Sequence, residues 1–129
     1  MVVHKLSDAA ALIGVSDDTL RRWQQQGRFS PVDVDGRAGI EGTELARLAA
    51  EHAATPDHGP EHTSARNQLR GIVTHITTDT VMAQVELVCG PYRVVSLVSR
   101  ESVDALGLEP GSVAWATVKS TNVSLEVPS

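Results

Sequence analysis

At residue 68 the hydrophobic pattern changes period, and that change bounds what the chain can become. Upstream, apolar residues recur three and four apart in short runs, as helices require. Downstream they alternate, as strands with one buried face require. Just before the change, Thr55-Pro56-Asp57-His58-Gly59-Pro60-Glu61-His62 has two prolines and no periodicity, and reads as a linker. The expectation is an α+β chain of two small domains, 1–55 and 63–129, with 56–62 between them. Hydrophobic residues make up 41 %, enough for globular packing; with aromatics at 3 %, the cores must be built from Val, Leu, Ile and Ala.

The first half opens with Ser7 as a helix N-cap and Asp8 in the first turn, where the helix dipole favours an acid. Ala9 to Ile13 continue that helix and Gly14 stops it. Ser16 caps a second helix, with Val15 and Leu20 forming a hydrophobic staple across the cap. This helix runs to about Gln26 and ends at Gly27. At about 100° per residue, Leu20 and Trp23 share its inner face, and Asp18, Arg21, Arg22 and Gln25 its outer one. Arg and Gln suit base edges and phosphates, although an arginine pair is also an ordinary solvated helix face. Glu44 to Ala54, with Leu45, Leu48 and Ala49 at helical spacing, forms a third helix.

These residues carry a resemblance. His4-Lys5-Leu6-Ser7-Asp8-Ala9-Ala10, Leu12-Ile13-Gly14-Val15-Ser16, Thr19-Leu20-Arg21-Arg22-Trp23 and Gly27-Arg28 resemble the winged helix-turn-helix of MerR and excisionase-type proteins. The resemblance implies double-stranded DNA as partner, with Thr19, Arg21 and Arg22 on the recognition helix. It also implies Arg28 and Arg37 as phosphate contacts near a wing formed by 29–40. The wing carries Arg37-Ala38-Gly39 with Asp33 and Asp35 before it. The long dimerisation helix of MerR regulators is absent, so pairing of chains must come from elsewhere.

The second half begins with Thr63-Ser64-Ala65-Arg66-Asn67-Gln68-Leu69. A hydroxyl, a guanidinium and two amides together offer hydrogen-bond donors with one fixed positive charge. That set suits an oxyanion better than a metal, and it is equally an ordinary polar start to a strand. Strands follow at 69–76, 81–88, 92–98, 113–119 and 123–127, with one short helix opened by Ser99-Arg100-Glu101-Ser102. Five strands and a helix fit a small closed barrel of the OB type.

This half resembles the Mop (molbindin or TOBE) domain of molybdate-binding proteins. The resemblance rests on Ser64-Ala65-Arg66-Asn67-Gln68 with Gly71, on Ser99-x-x-Ser102, on Leu106-Gly107-Leu108-x-x-Gly111, and on Val118-Lys119-Ser120-Thr121-x-Val123. It implies molybdate or tungstate bound at a subunit interface of a homo-oligomer, a dimer or a hexamer. Ser64, Ala65, Arg66 and Asn67 would act from one chain and Lys119 with Ser120 from another, with Ser99 and Ser102 adding donors. Two functions then compete: a molybdate-responsive DNA-binding regulator, and an oligomeric store whose first domain serves assembly.

Other classes fit less well. The formal charge is −5, with six Lys/Arg against eight Asp/Glu in 1–55 and five against eight in 56–129, so neither half is a basic domain. An OB-type single-strand binder needs a basic groove with aromatic platforms, and this half offers only Tyr92 and Trp115. His52, His58 and His62 invite a metal, but nothing rigid holds them, and no metal site is assigned. No nucleophile–base pair or phosphate-cradling loop points to an enzyme. One cysteine, no signal pattern and no apolar run near the roughly 20 residues of a membrane span lead to the expectation of a soluble, cytoplasmic protein.

Overall fold

The computed structural model describes residues 1–53 and 63–128. The chain divides into two compact units, with the boundary after residue 54. The expected linker and the histidines at 58 and 62 lie outside the described residues.

In the first unit, β1 (Val3–Lys5) leads into α1 (Leu6–Ile13) and α2 (Asp17–Gln25), followed by β2 (Val32–Val34), β3 (Arg37–Glu41) and α3 (Gly42–His52). Ser16 caps α2 by accepting the Thr19 N–H at 3.1 Å, and Gly14 closes α1 at φ 73°. Helix α1 starts one residue before Ser7, so Lys5 holds the cap position and Ser7 is not the cap. The reason is β1, which carries the chain straight from strand into helix. β1 was not visible in the sequence, because three residues are too few to show alternation. It joins β3, giving a sheet of order β1-β3-β2. Asp35 and Gly36 both have positive φ, as a two-residue hairpin turn between β2 and β3 demands. Leu20, Trp23, Phe29, Ile40, Leu45 and Leu48 form the core with Ala9 and Ala10; Val15 packs against it from the staple position.

The second unit is a curled antiparallel sheet of order β6-β5-β4-β7. Its strands are β4 (Asn67–Thr78), β5 (Met82–Cys89), β6 (Tyr92–Ser99) and β7 (Val113–Val118), with α4 (Arg100–Leu106) after β6. The inward residues Val73, Ala83, Val85, Leu87 and Cys89 pack with Val103 of α4. Asp79 holds the β4–β5 turn by accepting the N–H groups of Val81 and Met82, which keeps its carboxyl below the ordinary carboxylate range. Four strands are formed where the alternation predicts five. Residues 123–128 join no strand ladder among the described residues, and Leu125 is 91 % exposed. Alternation marks a segment able to pair; it cannot supply the neighbour.

β4 is long because its two halves pair with different partners: 67–72 with β7 and 72–78 with β5, the register slipping between Val73 and His75. Gly71 sits at the crossover. A methyl group there would lie 2.5 Å from both Cys89 Sγ and the Val88 carbonyl oxygen. Because the clash is partly with backbone, a rotamer change cannot relieve it. Gly71→Ala should therefore destabilise the second unit by roughly 1–3 kcal/mol. Calorimetry would register this as a lowered second-unit transition with the first unit's unchanged; identical transitions would contradict the close approach.

Candidate functional site

The last rung of the β4–β7 ladder pairs Asn67 with Val118. The Asn67 side-chain amide spends one hydrogen on the Val118 carbonyl, at 3.1 Å. One residue further along each strand stand Arg66 and Lys119, both exposed, and beyond them Ala65 and Ser120. Ala65 is buried, and its N–H donates to Thr63 Oγ1 at 3.1 Å, which fixes the bend before the strand. Ser64 is exposed within that bend, and Ser120 opens the single 3-10 turn Ser120–Asn122. Two cations and two hydroxyls thus gather at one end of one sheet. Neither Arg66 nor Lys119 has an ion-pair partner among the described residues.

Ser99 and Ser102 lie elsewhere. Ser99 caps α4, accepting the Ser102 N–H at 3.0 Å, and the two hydroxyls are 2.8 Å apart. Ser99 pairs with Met82, at the end of the sheet where β4 finishes, whereas Arg66 precedes its start. The length of β4 therefore separates the serine pair from the cations within one chain. Within one chain, Arg66 and Lys119 each stand one residue beyond the last rung, on adjacent strands. Spacing along the sequence says which residues face the core, but not that β7 returns to the first half of β4.

In the first unit, Lys5, Arg21 and Arg37 line one hollow of about 470 Å³ with Gln24, Gln25 and Asp17. Four elements contribute: the end of β1, the start of α1, the outer face of α2 and the start of β3. Lys5 and Gln24 were not singled out by sequence; the Lys5↔Gly39 pairing that brings β1 beside the hairpin is what recruits Lys5. Arg22 is exposed on α2 outside this hollow. Thr19 is half-buried, and its hydroxyl is engaged with Ser16 Oγ at 2.9 Å, so it serves the cap of α2 before anything else.

Arg28 is committed to its own fold. Its guanidinium lies 4.5 Å from the centroid of Trp23 and pairs with Glu51 at 3.0 Å, while Arg47 joins Glu51 to Glu44. Arg28 thus links Trp23 of α2 to Glu51 of α3. His52 stacks edgewise on the same Trp23 at 5.4 Å. Among the described residues no group of three or more His, Cys, Asp or Glu could hold a metal ion. Burial pushes the Cys89 thiol up, which disfavours the reactive thiolate. No described helix is long and apolar enough to cross a membrane.

A curled, OB-like half-barrel with paired cations at one end and a capped serine pair at the other describes a small β domain for binding an anion. Residues 63–125 match the TOBE domain, and the chain belongs to that family. It is 41 % identical over 63 residues to molybdenum-pterin-binding protein 2 of Clostridium pasteurianum, covering 48 % of this chain and 93 % of that one. A probable molybdenum-pterin-binding protein of Haemophilus influenzae is 43 % identical over 65 residues, covering 50 % and 94 %. Among solved structures, the cytoplasmic molybdate-binding protein ModG in a molybdate-bound form is 40 % identical, with a TM-score of 0.50. It covers 57 % of this chain, which in turn spans 52 % of it.

The clamp around Glu51 gives a test that separates arginines paired within the fold from unpaired ones. Hydrogen bonds from Arg28 and then Arg47 hold the Glu51 carboxyl below its ordinary range. A depressed carboxylate contributes stability above its unfolded-state value and loses it as pH falls through its folded-state value. Arg28→Met should lower the first unit's melting temperature at neutral pH, by an amount that shrinks as the solution is acidified through the carboxylate range. Arg37→Met should leave that temperature unchanged. Equal effects from the two variants would mean that the clamp carries no stability.

Proposed function

We propose that this chain binds molybdate or tungstate between copies of itself, and that it acts as a molybdate-responsive, DNA-binding transcriptional regulator. The observation that carries this reading is the placement of unpaired positive charge. Of eleven lysines and arginines, five are engaged within the fold. Arg28 and Arg47 pair with Glu51, Arg93 with Glu86, Arg70 lies over Trp115, and Arg100 donates to the Asp79 carbonyl. The other six are Lys5, Arg21, Arg22, Arg37, Arg66 and Lys119, and none has an acidic partner among the described residues. They form two groups, one on each unit. In a chain of net charge −5, cations kept away from the available carboxylates fit anions that arrive from outside.

For the second unit the anion is a tetrahedral dianion held by hydrogen bonds and charge, without covalent chemistry. Arg66 and Lys119 of one chain offset its two charges, and charged donors make the stronger hydrogen bonds. Ser64, Ser120 and the backbone around Ala65 and Asn67 add donors from the same chain. Ser99 and Ser102 complete the shell from a second copy, since one chain holds them at the far end of its sheet. The molybdenum- and molybdate-binding names of the relatives favour molybdate as the species.

For the first unit, the two helices, the β2–β3 hairpin and α3 support a winged helix-turn-helix reading. Arg21 and Arg22, with Gln25, face the major groove from α2, and Lys5 and Arg37 grip phosphates beside it. Homo-oligomers then present two such heads to successive half-sites.

Titration calorimetry with molybdate, tungstate and sulfate tests the first claim. Arg66→Ala and Lys119→Ala should each weaken molybdate binding by about tenfold to a hundredfold, with unchanged circular dichroism. Equal, feeble binding of all three anions would overturn the oxyanion reading. Anisotropy on duplex DNA from upstream of the chain's own gene tests the second. Arg21→Ala and Arg37→Ala should weaken binding and flatten its salt dependence. DNA affinity that is absent, or identical with and without molybdate, would leave a storage protein in place of a regulator.

A further inference from the structure

Helix α2 carries two acid–base pairs at a spacing that favours closure, Asp17 with Arg21 and Asp18 with Arg22, each acid four residues ahead of its base. Neither pair closes, and no ion pair joins them to any other of the described residues. On α3 the same chemistry does close, where Arg47 meets Glu44 and Glu51. The two open pairs are not equivalent. Asp17 lines the hollow of the first unit together with Lys5, Arg21 and Arg37, and Asp18 does not. The helix dipole accounts for an acid at either position in the first turn. It does not account for a carboxylate set among three cations and paired with none of them.

Such a carboxylate is at odds with a surface that only grips phosphate. A phosphate is an anion and an acceptor, so Asp17 repels it and has no hydrogen to offer it. An ionised carboxylate needs a donor, and the major groove presents donors only on exocyclic amines, cytosine N4 and adenine N6. A carboxylate pairs with the first of these, and an arginine spans guanine O6 and N7. Asp17 and Arg21 stand one helical turn apart, about 6 Å along the axis. At about 3.4 Å per base step, the bases they reach lie within about two steps of one another.

We infer, on the DNA-binding reading above, that Asp17 determines which sequence α2 reads. It accepts from a cytosine N4 amine while Arg21 takes a guanine close by, so the partner is a duplex whose half-site places these two bases together. Lys5 and Arg37 hold the backbone and carry no sequence information. Removing the charge of Asp17 therefore strengthens binding to arbitrary duplexes and erases one base preference. Removing the charge of Asp18 does only the first.

Selection by the full chain from a randomised duplex pool, followed by anisotropy on the selected site, tests this. One position of that site should prefer cytosine, every other base there weakening binding about fivefold or more. Asp17→Asn should lose this preference and favour adenine, because an amide spans adenine N6 and N7. Asp18→Asn should keep it, and Arg37→Ala should weaken binding to all sequences alike. The two asparagine substitutions keep side-chain size and remove the same first-turn charge, so their effects on folding match and cancel in the comparison. A site whose base preferences survive Asp17→Asn, or lose cytosine equally with Asp18→Asn, would overturn the inference and leave DNA binding standing. A chain that retains no duplex from the pool would overturn the DNA-binding reading and the inference with it.

Discussion

One strand, β4, uses both of its edges, and the second unit is arranged by that constraint. Every buried backbone N–H and C=O must find a partner. β4 meets this by pairing its first half with β7 and its second with β5, changing over at Ile72, which opposes both Val113 and Val88. A strand shared in this way must curl, and the curl needs the close approach that Gly71 permits over Cys89. The same pairing decides the chemistry at the ends. It sets Asn67 against Val118 and so makes neighbours of two cations that lie more than fifty residues apart in sequence.

The sequence carried those parts of the fold whose cause is local. Gly14 and Gly107 end helices in the left-handed region, Ser16 and Ser99 cap them, and the alternation of β5 predicts its inward residues. Pairing is not local, and the expectations that fell short each depended on it. β1 is a strand only because β3 lies beside it. Residues 123–127 are strand-like in composition and unpaired in fact. The pairing of Arg28 with Glu51 was not legible either, because Glu51 arrives twenty-three positions later on another helix. Motifs named individual candidate residues. How they divide between the two ends of the sheet was not.

Electrostatics supplies the contrast between arginines paired within the fold and those without an acidic partner among the described residues. Exposed ion pairs contribute little stability on average, so Arg28 and Arg47 matter mainly through their geometry: both converge on Glu51, and Arg28 also lies over Trp23. The unpaired cations avoid such arrangements although acidic residues outnumber basic ones. Two positive charges held side by side repel, and a dianion between copies would convert that repulsion into an adhesive contact. Within the proposed site, therefore, ligand binding and association of copies are one equilibrium viewed from two sides.

That linkage would couple the proposed anion site to the proposed DNA-reading role of the first unit. No lever is needed when the ligand acts by holding copies together. On the proposed reading, once one head of an assembly is on DNA its partner would search for the neighbouring half-site at a raised effective concentration, and avidity would rise without any new contact. An anion that tightens the assembly then tightens DNA binding by mass action alone. By reciprocity, the two-site DNA would raise the affinity for the anion by the same factor, a coupling that a pure storage protein would not possess.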